Sequence, residues 1–311
     1  MRVVIVGPGA LGSLFAARLA LAGHDVRLLD HNSKRAALLH EQGVRFEEYG
    51  AVQRVMVPAC TDPVTIVDAE LLLLCVKSPA VAATLASLRP HWPTSALLLA
   101  FQNGIGHLDA LAALPSSCRW GLGVTTEGAT LILPGQVRHG GHGITRLGFV
   151  APRAEAAQHQ LATAAAAFNA AGLASEVVAD IRVPLWQKLL VNVGINALTA
   201  LYGCPNGKLL EIPEARARLI AVVAEAAMVA TAEGITLPAD PVAMTLEVCR
   251  ATATNISSML QDVRNRRPTE IGAINGAVVA MGQRLGIATP VNGELTASIR
   301  ALEQGLTPDF P

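Results

Sequence analysis

The chain has 311 residues, with 24 lysines and arginines against 24 aspartates and glutamates. The formal charge is therefore zero, which excludes a polybasic nucleic-acid binder. With 51% hydrophobic, 15% charged and only 4% aromatic residues, the chain is too apolar to be disordered, and its core must come mainly from Ala, Leu and Val.

In chain order, Arg2–Val6 reads as a strand, Ala10–Ala22 as a helix and Val26–Leu29 as a second strand. Ser33–Gln42 reads as a helix with Ser33 as its N-cap. Leu71–Cys75 and Ala96–Ala100 are continuous apolar runs, the pattern of parallel strands covered on both faces. From Gly121 to Val150 the texture turns Gly-rich, with alternating runs at Thr130–Leu133, Gln136–His139 and Thr145–Phe149; these suggest antiparallel strands added to the sheet's edge. An Ala-rich helix, Glu155–Ala171, and a short strand, Ser175–Val178, follow. Beyond them the chain reads as helix over Asp180–Leu201, Pro213–Glu233, Pro241–Cys249, Ser257–Arg264, Thr269–Leu285 and Asn292–Leu302. The fold class is thus α/β: βαβ units building a parallel sheet over residues 1–179, then an all-helical domain over 180–311.

Five scattered cysteines, Cys60, Cys75, Cys118, Cys204 and Cys249, form no C-x-x-C pair, which speaks against disulfides and suits a reducing, cytoplasmic setting. Met1–Val6 with Arg2 imitates a secretory leader, but Pro8 and three glycines break the run, so none is expected. No stretch has the apolar length of a membrane span.

Gly7-Pro8-Gly9-Ala10-Leu11-Gly12 follows a strand and opens a helix, and Asp30 ends the next strand. In that context G-x-G-x-x-G is a dinucleotide fingerprint: Gly7 for the tight turn, Gly9 for close approach to a pyrophosphate, Gly12 for helix–strand packing. Asp30 taken alone favours NAD, because a carboxylate accepts from the ribose hydroxyls and repels a 2′-phosphate. His31, Lys34 and Arg35 stand nearby as cations, or simply as an exposed helix face.

The chain has four lysines among its basic residues, Lys34, Lys77, Lys188 and Lys208. Lysine, unlike arginine, can give up its proton when desolvated. Lys188, Asn192 and Asn196 recur at i, i+4 in an otherwise apolar helix, so they share a face that needs a cleft or a polar partner. Lys77 and Gln102-Asn103-Gly104 follow apolar strands, at the strand ends where open α/β sheets bind ligands. Asn255, Ser258 and Glu270 fall in helical segments, Glu270 near a helix start. His139-Gly140-Gly141-His142 hints at a metal, but its glycines suit a turn and no third ligand is apparent; no metal is expected. No nucleophile motif occurs.

Together, GPGALG at 7–12, CVKS at 75–78, FQNGIG at 101–106, the TTEGA…PGQVRHGGHG region at 125–143, WQKLLVNVGINALTALYGCPNG at 186–207 and NISSMLQDVRNRRPTEIGAINGAVV at 255–279 resemble the ketopantoate reductases (2-dehydropantoate 2-reductases) over essentially the whole chain. The resemblance implies a Rossmann-type dinucleotide-binding domain over residues 1–179 and a helical substrate and catalytic domain over 180–311. The resemblance implies reduction of a 2-oxo acid, 2-dehydropantoate, to pantoate, on the way to pantothenate and coenzyme A, in an interdomain cleft. It implies Lys188 as proton donor, Asn103, Asn192, Asn196, Asn206, Asn255 and Ser258 as substrate-holding positions, and Glu270 beside the nicotinamide and the catalytic lysine. Lys77, Asn103 and Gly128 match cofactor-contacting positions. The family commonly has an arginine where His31 stands here, gripping the 2′-phosphate of NADPH. NADP(H) is thus expected from the family, with NAD(H) the alternative because of Asp30. Reduction of another branched 2-oxo acid, or a non-catalytic nicotinamide sensor, are the rival readings. The apolar helices leave a homodimer open.

Overall fold

The computed structural model describes residues 1–306. They divide into two compact units, Met1–Gln102 with Asp109–Ile181, and Asn103–Leu108 with the chain from Arg182 onward.

The strands are β1 (Arg2–Val6), β2 (Asp25–Leu29), β3 (Val44–Glu48), β4 (Ala51–Val55), β5 (Ala59–Cys60), β6 (Leu71–Leu74), β7 (Leu97–Ala100), β8 (Arg119–Thr125), β9 (Gly128–Leu133), β10 (Gln136–Gly141), β11 (Thr145–Gly148) and β12 (Ser175–Val177). Eight of them make one sheet in the order β12-β11-β8-β7-β6-β1-β2-β5. Its pairs are parallel except β11 with β8. The leucine runs of β6 and β7 are wholly buried, which is why they show no alternation.

The helices of this unit include α1 (Ala10–Leu21), α2 (Ser33–Gln42) and α3 (Val81–Leu88); after the short α4 (Leu108–Ala112) comes α5 (Glu155–Ala170). The N-cap of α2 is Asn32, not Ser33: its side chain accepts from the Arg35 N–H. One residue of displacement is enough, because Asn is at least as good a cap as Ser.

The Gly-rich segment does not simply extend the sheet edge. Of its three alternating runs only β11 joins the main sheet; β9 and β10 join β3 and β4 in a separate four-stranded sheet, order β4-β3-β10-β9. Helix α1 packs against β2 on one side and against β3, β9 and β10 on the other, so its sequence ALGSLFAARLAL is apolar nearly all round. Phe15 of α1 meets Phe101 and Phe168 edge to face, at centroid distances of 4.9 and 5.0 Å.

The second unit holds α6 (Arg182–Tyr202), α7 (Pro213–Ala232), α8 (Pro241–Ala251), α9 (Ser258–Arg264), α10 (Asn275–Leu285) and α11 (Pro290–Glu303). Helix α6 packs against α7, α8, α9 and α11. At Gly194 a Cβ would stand 2.7 Å from a Val223 methyl, so glycine permits the close α6–α7 crossing. Two expectations fail here. Residues 269–274 are not helical, because Ala273 and Ile274 both donate to the Glu270 carbonyl and Ile271 to the Thr269 hydroxyl, closing a turn that delays α10 to Asn275. Asn255 lies in the loop before α9, not in a helix.

The N-terminus of α11 is closed by a side chain from another helix. The buried Glu225 carboxylate accepts from the backbone N–H groups of Val291 (2.9 Å) and Asn292 (3.0 Å) and from Asn292 Nδ2 (2.9 Å). It fills the role of a cap and meets the positive end of the helix dipole. Glu225→Leu leaves those donors buried without acceptors, and is expected to lower the unfolding free energy by about 3 kcal/mol in urea titrations at neutral pH. A loss below about 1 kcal/mol would show the cap to be dispensable.

Candidate functional site

In the first unit, the turn after β1 carries the three glycines in three distinct roles. Gly7 has φ +96°, and a Cβ there would stand 2.9 Å from the Val76 nitrogen. A Cβ on Gly12 would strike the Gly7 carbonyl oxygen at 2.2 Å. On Gly9 it would meet nothing within 4 Å. The open space therefore lies at the residue whose bareness a pyrophosphate needs, at the start of α1. Pro8, Ala10 and Leu11 complete the turn and the first turn of α1.

Asp30, just past β2, is buried and does not stand free. Arg35 straddles it, Nη2 donating to Oδ1 at 2.7 Å and Nε donating to Oδ2, while the Asn32 N–H donates to Oδ1 at 3.1 Å. His31 Nδ1 lies 3.4 Å from the same oxygen, with its side chain 87% exposed. Lys77 is exposed after β6. Gln102 Nε2 ties together the ends of the neighbouring strands by donating to the Leu74 and Val76 carbonyls. Gly128 opens β9, where it pairs with Gly141 in the small sheet.

In the second unit, Lys188, Asn192 and Asn196 line one face of α6. Lys188 is partly buried, and desolvation pushes its ammonium down to about 8 while the Glu270 charge pulls in the other direction. Glu270 is the polar partner that the stripe requires. It is not at a helix start, as the sequence suggested, but in the turn before α10, and its Oε2 accepts from Asn103 Nδ2 at 2.9 Å.

Asn103 is brought there by the turn 103–106. Ile105 and Gly106 donate to the Ala273 carbonyl at 3.0 and 3.3 Å. Gly104 has φ +76°, and a Cβ there would stand 2.0 Å from that same oxygen. The glycine after Asn103 thus lets the segment dock on residues 270–274.

Asn192 Nδ2 is buried with no hydrogen-bond partner, and so is Asn206 Oδ1. Such orphaned groups are costly unless a ligand satisfies them. Asn206 Nδ2 donates to the Thr252 hydroxyl at 2.9 Å and its N–H to the Asn255 carbonyl at 3.0 Å. This joins two of the residues that the resemblance assigns to substrate. Asn196 is buried on α6; Asn255 and Ser258 are exposed. The N-cap of α9 is Ser257, which accepts from the Leu260 N–H.

Sequence reasoning missed Glu127 and Glu48. Glu127, buried to 1% exposure, sets its Oε2 2.6 Å from His139 Nε2; the signal available was a lone acid between two apolar strands. Glu48 supplies the third group beside His139 and His142 that no local pattern could show.

Known proteins resemble this chain over nearly its whole length. Residues 3–152 match the family profile "Ketopantoate reductase PanE/ApbA" and residues 180–303 that of its C-terminal part. The chain is 38% identical over 305 residues to a 2-dehydropantoate 2-reductase of Halobacterium salinarum, covering 98% of this chain and 99% of that one. Among solved structures, the PanE/ApbA family ketopantoate reductase from Ralstonia eutropha JMP134 superposes with a TM-score of 0.89 at 33% identity, covering 98% and 99% of the two chains. D-mandelate dehydrogenase with NADH and anilino(oxo)acetate also superposes at 0.89, with 27% identity and the same coverage. The chain belongs to the ketopantoate reductase family.

The glycine geometry separates binding from folding. Gly9→Ala is expected to leave stability within about 1 kcal/mol, since its Cβ meets no protein atom, while weakening dinucleotide binding about tenfold or more in fluorescence titration. Gly12→Ala is expected to lower the melting temperature as well.

Proposed function

We propose that this chain is a 2-dehydropantoate 2-reductase, reducing the C2 ketone of 2-dehydropantoate to the alcohol of pantoate, with Lys188 as proton donor. The observation that carries the reading is the desolvated Lys188, set on one helix face with Asn192 and Asn196 and facing the charge of an Asn103-held Glu270. When bound, the reduced nicotinamide supplies the hydride. The chain's own task is to orient the ketone and to meet the charge that develops on its oxygen. The Lys188 ammonium does this by giving its proton to that oxygen as the carbonyl carbon is reduced. Glu270 keeps the ammonium charged despite its burial, and Asn103 fixes the carboxylate that does so. Asn192 offers its orphaned Nδ2 as a donor, and Asn206 its Oδ1 as an acceptor, to a substrate bearing both a carboxylate and a hydroxyl. Asn196, Asn255 and Ser258 complete the substrate set, and Lys77 and Gly128 that of the cofactor.

NADPH is the proposed cofactor. The Arg35 fork and the Asn32 N–H already engage the Asp30 carboxylate, so its repulsion of a 2′-phosphate is offset, and His31 and Lys34 stand exposed beside it. The second reading is an NADH-dependent reductase of another branched 2-oxo acid, favoured by the likeness to D-mandelate dehydrogenase. The scattered cysteines, which form no C-x-x-C pair, support a cytoplasmic enzyme; among the described residues no helix is long and apolar enough to cross a membrane.

Initial rates with 2-dehydropantoate and with an aromatic 2-oxo acid, each with NADPH and NADH, test both parts. NADPH with 2-dehydropantoate is expected to give the highest kcat/KM. NADH dominance would overturn the cofactor assignment alone, and preference for the aromatic acid would overturn the substrate. Arg35→Ala frees the Asp30 charge and is expected to raise the KM for NADPH about tenfold with little change in kcat.

Because the donor is an ammonium, kcat for reduction is expected to be level below about pH 8 and to fall as pH rises through that value. Lys188→Ala is expected to lower kcat by about 100-fold or more, to abolish the alkaline limb and to leave NADPH affinity unchanged. An equal loss of NADPH affinity would instead mark Lys188 as structural.

A further inference from the structure

We propose that Glu48, His139 and His142 form a binding site for a divalent transition metal of the zinc type in the small sheet. A carboxylate oxygen and two imidazole nitrogens lie within 4.8 Å of one another, a donor set of two histidines and one carboxylate that leaves a fourth tetrahedral position open.

The topology that gathers them is specific. Glu48 and His139 are register partners on the parallel strands β3 and β10, so their side chains share a face. Residues three apart on an unbroken strand point to opposite faces. Here the pairing of β10 with β9 shifts between His139 and Gly141, a bulge that takes up one residue. The two imidazoles consequently meet, with ring centroids 4.2 Å apart. Tyr49, in the β3–β4 turn, stacks on His142 at 5.3 Å.

Each ring nitrogen of His139 faces a carboxylate. The Glu127 carboxylate is buried to 1% exposure and stands 2.6 Å from Nε2. A buried carboxylate accepts, so Nε2 presents a hydrogen to Glu127. A carboxylate behind the far nitrogen of a histidine is the usual outer support of a metal-bound imidazole. Without a metal, Nδ1 and Glu48 Oε1 are 2.7 Å apart, a hydrogen bond that a metal ion would replace. Arg18 Nη2 donates to the same Glu48 Oε1 and lies 3.5 Å from Nδ1. His142 Nε2 approaches the same oxygen at 3.5 Å, about the spacing of two ligands on one zinc ion. Metal binding releases the Nδ1 proton to solvent, displaces the Arg18 nitrogen and supplies the positive charge in their place. Imidazole nitrogens select zinc, nickel or copper over magnesium and calcium.

The site is tested by titrating the chelator-treated full chain with zinc chloride in a calorimeter, alongside His142→Ala and Glu48→Gln. His142 is 42% exposed at its side chain, so its removal spares the fold, and the metal-free melting temperature checks this. One zinc per chain is expected, about tenfold or more weaker in both variants and unaffected by excess magnesium. Cobalt in place of zinc is expected to give visible absorption bands that the His142→Ala protein lacks. Absence of saturable zinc binding would overturn the proposal. So would binding retained unchanged in both variants, which would place the metal on cysteines or histidines elsewhere, or displacement by magnesium, which would exclude imidazole ligands.

Discussion

An ammonium in an apolar helix must be held against the pull of water, and much of the second unit is arranged around that constraint. Lys188 sits among Leu189, Leu190 and Val191 on α6, where desolvation favours loss of its proton. The Glu270 charge opposes that loss, and the balance leaves the group near 8. The carboxylate must itself be placed. Asn103 does this across 167 residues of sequence, and Gly104 allows Asn103 to arrive by letting the backbone press against the Ala273 carbonyl. The segment Asn103–Leu108 accordingly belongs to the helical unit, although the chain on both sides of it belongs to the sheet.

That dependence explains what could be read from the sequence and what could not. The polar stripe of α6 was legible because i, i+4 periodicity is local, and the fingerprint was legible because strand, glycines and helix are contiguous. Glu270 was found as a residue but misplaced, since an apparent helix start at Pro268-Thr269 is closed into a turn by the Glu270 carbonyl and the Thr269 hydroxyl. The small sheet went unread for a different reason. The β3–β4 turn is built on Tyr49 and Gly50, both at positive φ (49° and 80°), and tyrosine is not a residue that signals such a turn. Its β10 pairs in parallel with β3, some ninety residues earlier. No local pattern announces that partner, and with it went Glu48.

Helix α1 is where the two sheets of the first unit meet. A helix buried on two sides should carry no charge, yet α1 keeps Arg18, which lies over the Phe46 ring at 5.2 Å and reaches Glu48 and His139. The same helix offers its N-terminus to the nucleotide phosphates and sends its one cation to the small sheet. Sequence patterning alone treats Arg18 as a break in an apolar run; packing shows it to be the charge that lets two carboxylates, Glu48 and Glu127, gather on one buried histidine.

Asp30 shows how far a fingerprint residue can be trusted. The rule that an acid at the end of the second strand selects NAD rests on a carboxylate with free lone pairs and an unopposed charge. Here Arg35, one turn into the helix that begins just after it, takes both oxygens, and the Asn32 backbone takes another lone pair. Burial makes that pairing obligatory, because an ionised carboxylate with no exposed surface has no water to fall back on. The residue that sequence reading counts as a selector against phosphate is, in the fold, half of an ion pair. Its selectivity depends on what else is exposed at that strand end, and there the exposed groups are His31 and Lys34.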